Sequence, residues 1–541
     1  MKNRTLKSTS LLSSTFILGG GLVVAKAIGA MYRIPLATVL GADGLGIYQM
    51  VFPLYSLLLT LSSSAIPTSL AKVISENLAK GDGVDAVVVY RTARKFILAV
   101  SLVCAVLLFI FGKQVAILQG GEMGGLSYVA ISPAILLVGF VACFRGKFQG
   151  MNNMVPTALS QICEQVGKLV FTIALPIYFG STLEEKVALA VFGVTASEVC
   201  GLAFLAVYSW LSKRKNAKRS ELATVWMLGE RQISEKQKGG FGSGKKLSES
   251  LENKAGILSP LFKIALPMTI SLSVYPIAGI LESVIIINFI NVASGNGVAQ
   301  FGVYSGVIVT LVSLPLALCT ALGTAIVPSI SADIAKEKMC VARRKISFAI
   351  KAGMAVAIAV SMLFLFFSNH IVCLLFSKIA GESGGLCGKM LKWSFVNVML
   401  SCFSNITSAI LYSLSESTVP LKSQLWGLAV RFAVLCVLIP FAGIYASLAG
   451  VFAGGILSCA LNFRGINRSL KTPLSIRPLV TGGLAMAVLG TCLLGTSKYF
   501  TLTIPWVVLL SAIYLAFVFL LFFTGYFTKE EVGSVVGGGH A

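Results

Sequence analysis

Charged residues are scarce in this chain. They make up 12% of its 541 residues, against about 25% in a typical soluble protein, while 56% of the residues are hydrophobic. The mean hydropathy is correspondingly high, at +0.87. This balance excludes an ordinary soluble domain and predicts an all-α polytopic membrane protein.

Histidine and closely spaced cysteine are also scarce. The sequence has two histidines, His370 and His540, and its 12 cysteines form no Cys-x-x-Cys pair. A histidine-based metal site or general base is therefore not expected, and no cofactor is predicted. Cys373 and Cys387 fall near one predicted outer loop, so the sequence leaves a disulfide between them open.

Acidic residues are outnumbered by basic ones, 21 against 44, which gives a net charge of +23. Such a surplus could indicate nucleic-acid binding, but the basic residues cluster between apolar runs, which favours a membrane and argues against a nucleic-acid partner. Fourteen apolar runs are long enough to span a bilayer as helices. They lie near 11–35, 46–66, 94–112, 126–144, 158–179, 187–211, 264–290, 302–327, 348–368, 390–412, 421–440, 442–462, 478–496 and 503–525.

Lysine and arginine concentrate in alternate breaks between these runs. With the N-terminus inside, the even-numbered breaks hold most of the basic residues and the opposite loops hold few. The positive-inside rule therefore predicts that both termini are cytoplasmic. One long hydrophilic break follows the sixth run and divides the chain. The predicted parts are an N-terminal lobe at 1–211, a cytoplasmic basic linker at 212–256, a C-terminal lobe at 257–462, and two further helices with a tail at 463–541.

The linker composition predicts a solvated, partly disordered segment. Contact of Trp226 and Met227 with the lipid surface is the alternative. The linker stretch GGFGSGKK nearly matches a phosphate-binding loop. Lys246 stands where that loop needs Ser or Thr, and no apolar strand precedes it, so no nucleotide site is expected.

An internal repeat relates the two halves of the chain. The near-constant offset between matched positions makes chance an unsatisfactory explanation, and it predicts two pseudo-symmetric lobes that enter the membrane in the same direction. The prolines among them are expected at helix ends in preference to hinges. The matched positions are Gly46 and Tyr48 with Gly302 and Tyr304 at an offset of 256, Pro67 with Pro328 at 261, and Pro156 with Pro420 at 264.

Some ionisable residues lie deep inside the apolar runs, where a charge facing lipid is unfavourable, so each is expected to face a cavity or a partner. Glu164 and Lys168 are four residues apart, which suits a helical ion pair as well as separate functional roles. The full set is Lys26, Arg33, Glu164, Lys168, Glu198, Glu282 and Arg431.

Three of these cations have no acidic residue one helical turn away: Lys26, Arg33 and Arg431. Lys26 and Arg33 share one helix face, because seven residues make about two turns. Arg431 and Lys168 lie near mid-bilayer in helices that the repeat matches. Snorkelling or a distant partner is one interpretation of these cations, and binding of an anion with several oxygens is the other.

These features together resemble the MOP flippase superfamily, and within it the branch of stage V sporulation protein B and MurJ-like polysaccharide exporters. The resemblance rests on the fourteen predicted helices, the break after the sixth, and the segments AKAIGAMYRIPLATVLGADGLGIYQ and IPTSLAKVISE. It implies two six-helix lobes around a central cavity, with two extra C-terminal helices.

The same resemblance implies a flippase, not an enzyme. Such a protein moves an undecaprenyl-pyrophosphate-linked saccharide, as used in peptidoglycan, capsule or sporulation, to the outer leaflet of the bacterial cytoplasmic membrane by alternating access. The expected partners are this anionic substrate and membrane lipids, and the expected state is a monomer. The residues that would bind the pyrophosphate are Lys26, Arg33, Lys168 and Arg431.

Coupling to Na⁺ or H⁺ would require an acidic residue in a spanning helix. The resemblance favours Glu282, in the seventh predicted helix, with Glu198 and Glu164 as the other candidates. A hydrogen-bonded or protonated contact between helices is the alternative interpretation of Glu282.

Two other functions are weighed against the flippase. A MATE-type cation-coupled drug antiporter has the same architecture, but it would hold cationic substrates with acids, and these lobes hold at least as many cations as acids. A membrane-embedded glycosyltransferase or polymerase would need carboxylates or a metal at a membrane face, and the predicted outer loops offer only scattered acids.

Overall fold

The computed structural model describes residues 28–29, 31–214, 221–238, 254–470 and 488–493, and within 512–533 it describes 512–517, 519, 521, 526–528, 530–531 and 533. These residues are almost all helical, and no strand occurs among them. The chain divides into two compact units, Met1–Val284 and Ile285–Ala541. The predicted all-α architecture is confirmed.

The first unit is built from long helices joined by short turns. A π-helical segment, Thr60–Ser64, separates its first two helices, and a 3₁₀ turn, Glu122–Gly124, precedes the fourth. The eighth helix runs across the boundary between the units at Val284. The helices are α1 Arg33–Leu59, α2 Ile66–Ala79, α3 Gly83–Leu118, α4 Gly125–Gly150, α5 Val155–Phe179, α6 Leu183–Arg214, α7 Glu221–Lys238 and α8 Lys254–Ser294.

Between Gly297 and Ser469, the second unit has five long helices and three short ones. A π-helical segment, Gly302–Ile308, joins the first two of them. The division into two pseudo-symmetric lobes at the boundaries given by the sequence stays a prediction. The helices are α9 Gly297–Phe301, α10 Val309–Ala335, α11 Met339–Leu375, α12 Ser377–Glu382, α13 Leu386–Trp393, α14 Phe395–Ser413, α15 Thr418–Ala442 and α16 Tyr445–Ser469.

In the described part of the chain, eleven helices are long and apolar enough to cross a membrane. They coincide with the second to the twelfth of the fourteen predicted spans. The first predicted span, 11–35, and the last two, 478–496 and 503–525, lie largely outside the described residues. The count of fourteen therefore stays a prediction.

Glycine and proline set several of the helix boundaries. Gly41 has a φ of +71°, which breaks α1 between the end of the first predicted span and the start of the second. Pro67 and Pro156 stand in the first turns of α2 and α5, where the missing N–H is tolerated. Pro420 lies in the first turn of α15, but Pro328 lies inside α10, so the prediction that all four prolines mark helix ends is wrong for Pro328.

The prediction of a solvated linker is wrong for the segment that forms α7. Trp226 is only 2% exposed and belongs to a core cluster with residues of α2, α3 and α4, so the alternative of lipid contact through Trp226 is wrong as well. Met227 is partly buried against the same cluster. The physical reason is an apolar stripe along one face of α7, including Trp226 and Ile233, that finds a partner surface in the first unit. Residues 215–220 and 239–253 of the linker lie outside the described residues.

The described part of the C-terminal segment packs on α11. Leu489, Leu493, Phe517 and Leu521 form one core cluster with apolar side chains of that helix. The Tyr514 hydroxyl donates to the backbone oxygen of Ala359 at 2.9 Å. The segment that contains the last two predicted helices is therefore attached to the second unit through α11.

All twelve cysteines are free thiols. Cys387 on α13 is buried whereas Cys373 near the end of α11 is exposed. Burial, with a contribution from Cys373, raises the pKa of the Cys387 thiol to about 12, which keeps it protonated near neutral pH. The disulfide that the sequence leaves open is absent from the structure.

Candidate functional site

Lys168 is held in the first unit by aromatic rings instead of by an acid. It lies on α5, and its Nζ is 5.6 Å from the ring centre of Tyr32 and 5.5 Å from that of Phe52. Among the described side chains, no ion pair joins Lys168 to a carboxylate. Cation–π contacts of this kind contribute about 0.5–2 kcal/mol each, so the ammonium group keeps its capacity to bind an anion.

The partner of Glu164 is Arg145 and not Lys168, so the helical ion pair suggested by the sequence is wrong. The Nη2 atom of Arg145, on α4, lies 2.9 Å from Oε2 of Glu164. Its Nε also donates to the Ser160 hydroxyl at 3.1 Å. Ser160 and Glu164 are one turn apart on α5, so the forked guanidinium group of Arg145 contacts both side chains at once. The single ammonium group of Lys168 lacks this forked geometry.

Glu198 of α6 lies beside Glu164. It is 6% exposed, and Glu164, Arg145 and Lys168 act on it electrostatically. The close approach of α5 and α6 explains this position: a Cβ at Gly193 would lie 2.5 Å from the backbone nitrogen of Thr172. One turn beyond Glu198, a Cβ at Gly201 would lie 3.6 Å from the Cβ of Glu164. Small residues thus let α5 and α6 approach closely beside Glu164 and Glu198.

Tyrosines of α1 line the same region. The Tyr32 and Tyr48 hydroxyl groups are 3.5 Å apart, and the break at Gly41 is what allows these two residues to meet. Arg33 acts electrostatically on both Tyr32 and Tyr48. Tyr55 is 5% exposed, and its hydroxyl has no hydrogen-bond partner in the structure. Glu198 and Glu164 act electrostatically on this hydroxyl.

The second unit places Arg431 against the tyrosine that the repeat matches to Tyr48. Arg431 lies on α15, and its Nη2 donates to the Tyr304 hydroxyl at 3.1 Å. Glycines on α16 allow the close packing around it, since a Cβ at Gly450 would lie 2.7 Å from the backbone oxygen of Arg431. Each unit therefore sets a basic residue of its proline-initiated helix, α5 or α15, beside aromatic side chains. In the second unit this side chain is the tyrosine of the repeated Gly-x-Tyr segment, whereas in the first unit Lys168 lies over Tyr32 and Phe52.

Two of the predicted residues stand apart from this arrangement. Lys26 lies outside the described residues, so its place on the Arg33 face stays a prediction. Glu282 is partly buried on α8, next to Ser283, whose hydroxyl accepts a hydrogen bond from Gln119 Nε2 at 3.1 Å. The structure thus brings together Arg33, Lys168, Glu164 and Glu198 in the first unit, and it places Arg431 beside Tyr304 in the second unit.

The sequence interpretation missed Arg145 and the aromatic residues of α1. Arg145 directly follows the predicted span 126–144, so the sequence places it in a basic cytoplasmic loop. In the structure its side chain is 15% exposed and pairs with Glu164 inside the helix bundle. The repeat did contain a signal for the tyrosines, because Tyr48 and Tyr304 occupy matched positions. It did not point to Tyr32, Phe52 or Tyr55, which have no counterpart among the matched positions.

Long apolar helices in two repeated units, with ionisable side chains turned inward, define the class of protein as a multi-pass membrane transporter of the MOP superfamily type. A family model described as Lipid II flippase MurJ matches residues 127–517. A second, described as Polysaccharide biosynthesis protein, matches residues 11–228. The chain belongs to the Lipid II flippase MurJ family.

Relatives by sequence include two proteins of Bacillus subtilis (strain 168). Stage V sporulation protein B is 24% identical over 496 residues, which cover 89% of this chain and 88% of the relative. Lipid II flippase MurJ is 30% identical over 230 residues, which cover 39% of this chain and 41% of the relative. The similarity to the sporulation protein therefore extends over almost the whole chain.

Two solved structures have the same fold. Lipid II flippase MurJ in an inward closed conformation has a TM-score of 0.65 at 12% identity, and covers 94% of this chain and 99% of its own. A multidrug resistance MATE family transporter in an inward-facing conformation has a TM-score of 0.63 at 17% identity, and covers 83% of this chain and 95% of its own. The fold alone does not separate flippase from drug transporter.

Proposed function

We propose that this protein is a flippase for a lipid-linked anionic saccharide. It moves an undecaprenyl-pyrophosphate-linked precursor from the inner to the outer leaflet of the bacterial cytoplasmic membrane by alternating access. Both termini and the linker are on the cytoplasmic side, and the protein works as a monomer surrounded by lipid, without a nucleic-acid partner.

The observation that carries this proposal is the cation site at Lys168 in the first unit. Lys168 lies over the rings of Tyr32 and Phe52 and forms no ion pair with a described carboxylate, so its positive charge is available to a ligand. Arg431, on the helix that the repeat matches, donates to the Tyr304 hydroxyl. Guanidinium and ammonium groups bind phosphate oxygens more strongly than they bind an aromatic face. A pyrophosphate can therefore displace these contacts. Arg33, beside Tyr32, and Lys26 add to the same recognition.

The choice of a lipid-linked saccharide rests on the relatives. The family models and the sporulation protein name polysaccharide biosynthesis, lipid II and sporulation. A substrate for peptidoglycan or spore cell wall suits the cationic sites, because such precursors carry their negative charge on a pyrophosphate. Glu282 stays the candidate for a Na⁺ site that the resemblance suggests.

The second candidate function is a MATE-type cation-coupled drug antiporter. The observation in its favour is the buried carboxyl group of Glu198 beside Glu164, because acids of this kind could hold a cationic drug. The two candidates predict opposite effects of charge at Lys168. An anion carrier needs the positive charge, whereas a carrier of cations gains from its removal.

Complementation of a conditional lipid II flippase mutant tests the proposal. The wild-type chain is expected to restore growth, and Lys168→Glu is expected to lose rescue by at least tenfold in plating efficiency while the protein remains in the membrane. Lys113→Glu is the matched control, because Lys113 is exposed at the end of α3, and it should rescue like the wild type. Equal rescue by Lys168→Glu would contradict the proposed role of the cation site.

A further inference from the structure

Three aromatic side chains, from α1 and the residue before it, pack against one another beside Lys168. Tyr48 contacts both of the others: its ring centre lies 4.7 Å from that of Phe52, and its hydroxyl lies 3.5 Å from the Tyr32 hydroxyl. Tyr32 and Tyr48 are 3% and 1% exposed. Buried rings in contact hold one another in place. We call Tyr32, Tyr48 and Phe52 the aromatic clamp, and its shape is fixed by its own packing.

Lys168 has an acidic neighbour on its own helix with which it forms no ion pair. Glu164 lies four residues before it on α5, which is the spacing and the order that favour a helical pair. The lysine side chain is a flexible stem that could turn to this carboxylate. In the structure its Nζ instead lies 5.6 Å from the Tyr32 ring centre and 5.5 Å from that of Phe52. Glu164 pairs with Arg145, at 2.9 Å.

A ring and a carboxylate restrain an ammonium group in different ways. A carboxylate cancels its charge, so an incoming phosphate would have to break an ion pair. An aromatic face attracts the cation through its quadrupole and leaves the net charge unchanged. The clamp therefore restrains Lys168 without neutralising it, and a phosphate has only a weak contact to displace.

We propose that the aromatic clamp is a positioning device for anion binding, which keeps Lys168 away from Glu164 and ready for the phosphate oxygens of the substrate. The inference deepens the proposed function and rests on it. Tyr32 and Phe52 act on the ligand through Lys168, and Tyr48 acts through these two rings. All three are positioning residues that do not touch the substrate themselves.

This assigns a task to the tyrosine of the repeated Gly-x-Tyr segment. In the first unit, Tyr48 holds the rings that hold the cation. In the second unit, the matched Tyr304 accepts a hydrogen bond from Arg431 directly. The repeated tyrosine thus serves a basic residue in each unit, through other rings in one and by direct contact in the other.

If the clamp works in this way, the role of Phe52 depends on Glu164. With Glu164 present, loss of the Phe52 ring lets Lys168 turn to the carboxylate, and anion binding weakens. With Glu164 replaced by glutamine, no carboxylate lies one turn away on α5, and loss of the ring removes only a contact that the ligand has to displace. The effect of Phe52 should then vanish or reverse. A ring that served packing alone would have the same effect in both backgrounds.

Equilibrium binding of radiolabelled farnesyl pyrophosphate, a soluble isoprenyl pyrophosphate, to the purified full-length protein tests this dependence. Phe52→Leu should raise Kd about fivefold or more, a size typical of coupling between contacting residues. Phe52→Tyr keeps a ring and should bind like the wild type. Phe109→Leu is the matched control, because Phe109 is an exposed ring on α3, and it should also bind like the wild type.

The same binding measurement is then made in the second background. Glu164→Gln combined with Phe52→Leu should bind at least as tightly as Glu164→Gln alone, and Arg145 is the same in both proteins. Tyr32→Leu removes the other ring and should show the same dependence on Glu164, so either variant that folds gives the test. The melting temperature of each purified variant checks its folding.

The outcomes separate the clamp from the proposed function. Unchanged binding by Phe52→Leu, or a loss of equal size in both backgrounds, overturns the clamp and leaves the flippase proposal intact. If the folded wild type does not bind farnesyl pyrophosphate, or if Lys168→Met binds it as tightly as the wild type does, the anion site at Lys168 is overturned and the clamp with it.

Discussion

At the scale of single residues, the account depends on Lys168, a cation that no described carboxylate neutralises. It lies over Tyr32 and Phe52 and forms no ion pair with a described carboxylate. Glu164, which sequence spacing offers as its partner, is taken by Arg145 of the preceding helix. The charge of Lys168 is therefore available to a ligand.

Lys26 is the residue with which the sequence argument begins, and it gives the first prediction here. Lys26→Glu should abolish transport while the protein still inserts, because a carboxylate on the Arg33 face repels a pyrophosphate. Lys26→Arg should keep most of the activity, since arginine also supplies cationic donors. Rescue of the conditional flippase mutant, with membrane insertion checked by immunoblotting, measures both. Normal transport by Lys26→Glu would make Lys26 a snorkelling or structurally paired residue.

At the scale of elements, the helix α7 packs on the first unit, and the C-terminal tail packs on the second unit. The helix α7 crosses the start of α3 at a contact between Gly229 and Gly83. Lys147 lies near the end of α4, and its Nζ is 4.8 Å from the centre of the Trp226 ring and 3.6 Å from Glu230 Oε1. These polar contacts join α4 to α7. In the second unit, an ion pair joins the tail to α11: Glu531 accepts hydrogen bonds from Lys351 Nζ at 2.8 Å.

The contact between Gly229 and Gly83 predicts that one added methyl group at Gly229 weakens the packing of α7 strongly. A Cβ at Gly229 would collide with the backbone of Gly83, which cannot move aside within a helix, so Gly229→Ala should release α7 from the first unit. Limited trypsin digestion should then cut at Arg231 several-fold faster than in the wild type. Gly381→Ala is the control, because a Cβ at Gly381 meets no atom within 4 Å. Equal digestion of wild type and Gly229→Ala would refute the tight crossing.

The Lys351–Glu531 pair predicts a dependence of stability on pH. Burial alone would raise the pKa of Glu531, but hydrogen bonds from Lys351, Ser347 and the Thr528 N–H outweigh it and lower the pKa below its ordinary value. A carboxyl group with a lowered folded-state pKa stabilises the fold above its unfolded value, near 4.3, and this stability is lost as the pH falls through the folded value.

Glu531→Gln should therefore lower the melting temperature at pH 7. The variant should also lose less stability than the wild type when the pH falls towards 3. Removing one partner of a buried ion pair costs about 3–5 kcal/mol. Glu530→Gln is the control, since Glu530 and Arg344 form an exposed pair, and it should change stability by less than about 1 kcal/mol. Identical acid sensitivity in the wild type and Glu531→Gln would contradict the assigned role.

At the scale of the whole molecule, the order of helices could be predicted from the sequence because lipid imposes long apolar runs. The spans from 46–66 to 442–462 all correspond to helices of the structure. The repeat could be predicted because Gly46, Tyr48 and Pro156 have counterparts at a near-constant offset. These signals are local in sequence or periodic, and both kinds can be read from a single chain.

The contacts of the candidate site could not be predicted in the same way. Arg145 and Glu164 are 19 residues apart and meet across a helix hairpin, whereas sequence spacing detects only pairs within one turn. The position of Glu198 beside α5 depends on how closely Gly193 lets α6 approach that helix. The helix α7 was missed because the charge of the 212–256 segment outweighs the short apolar stripe around Trp226.

The central claim is that the cation sites serve an anionic, lipid-linked substrate, and direct transport by the purified protein tests it best. Proteoliposomes should be given fluorescent lipid II and the cation ethidium in separate assays, with Lys168→Glu beside the wild type. We expect the wild type to translocate lipid II, Lys168→Glu to lose at least 90% of that rate, and neither to move ethidium. Transport of ethidium without lipid II, retained or improved by Lys168→Glu, would contradict the account and favour the drug antiporter.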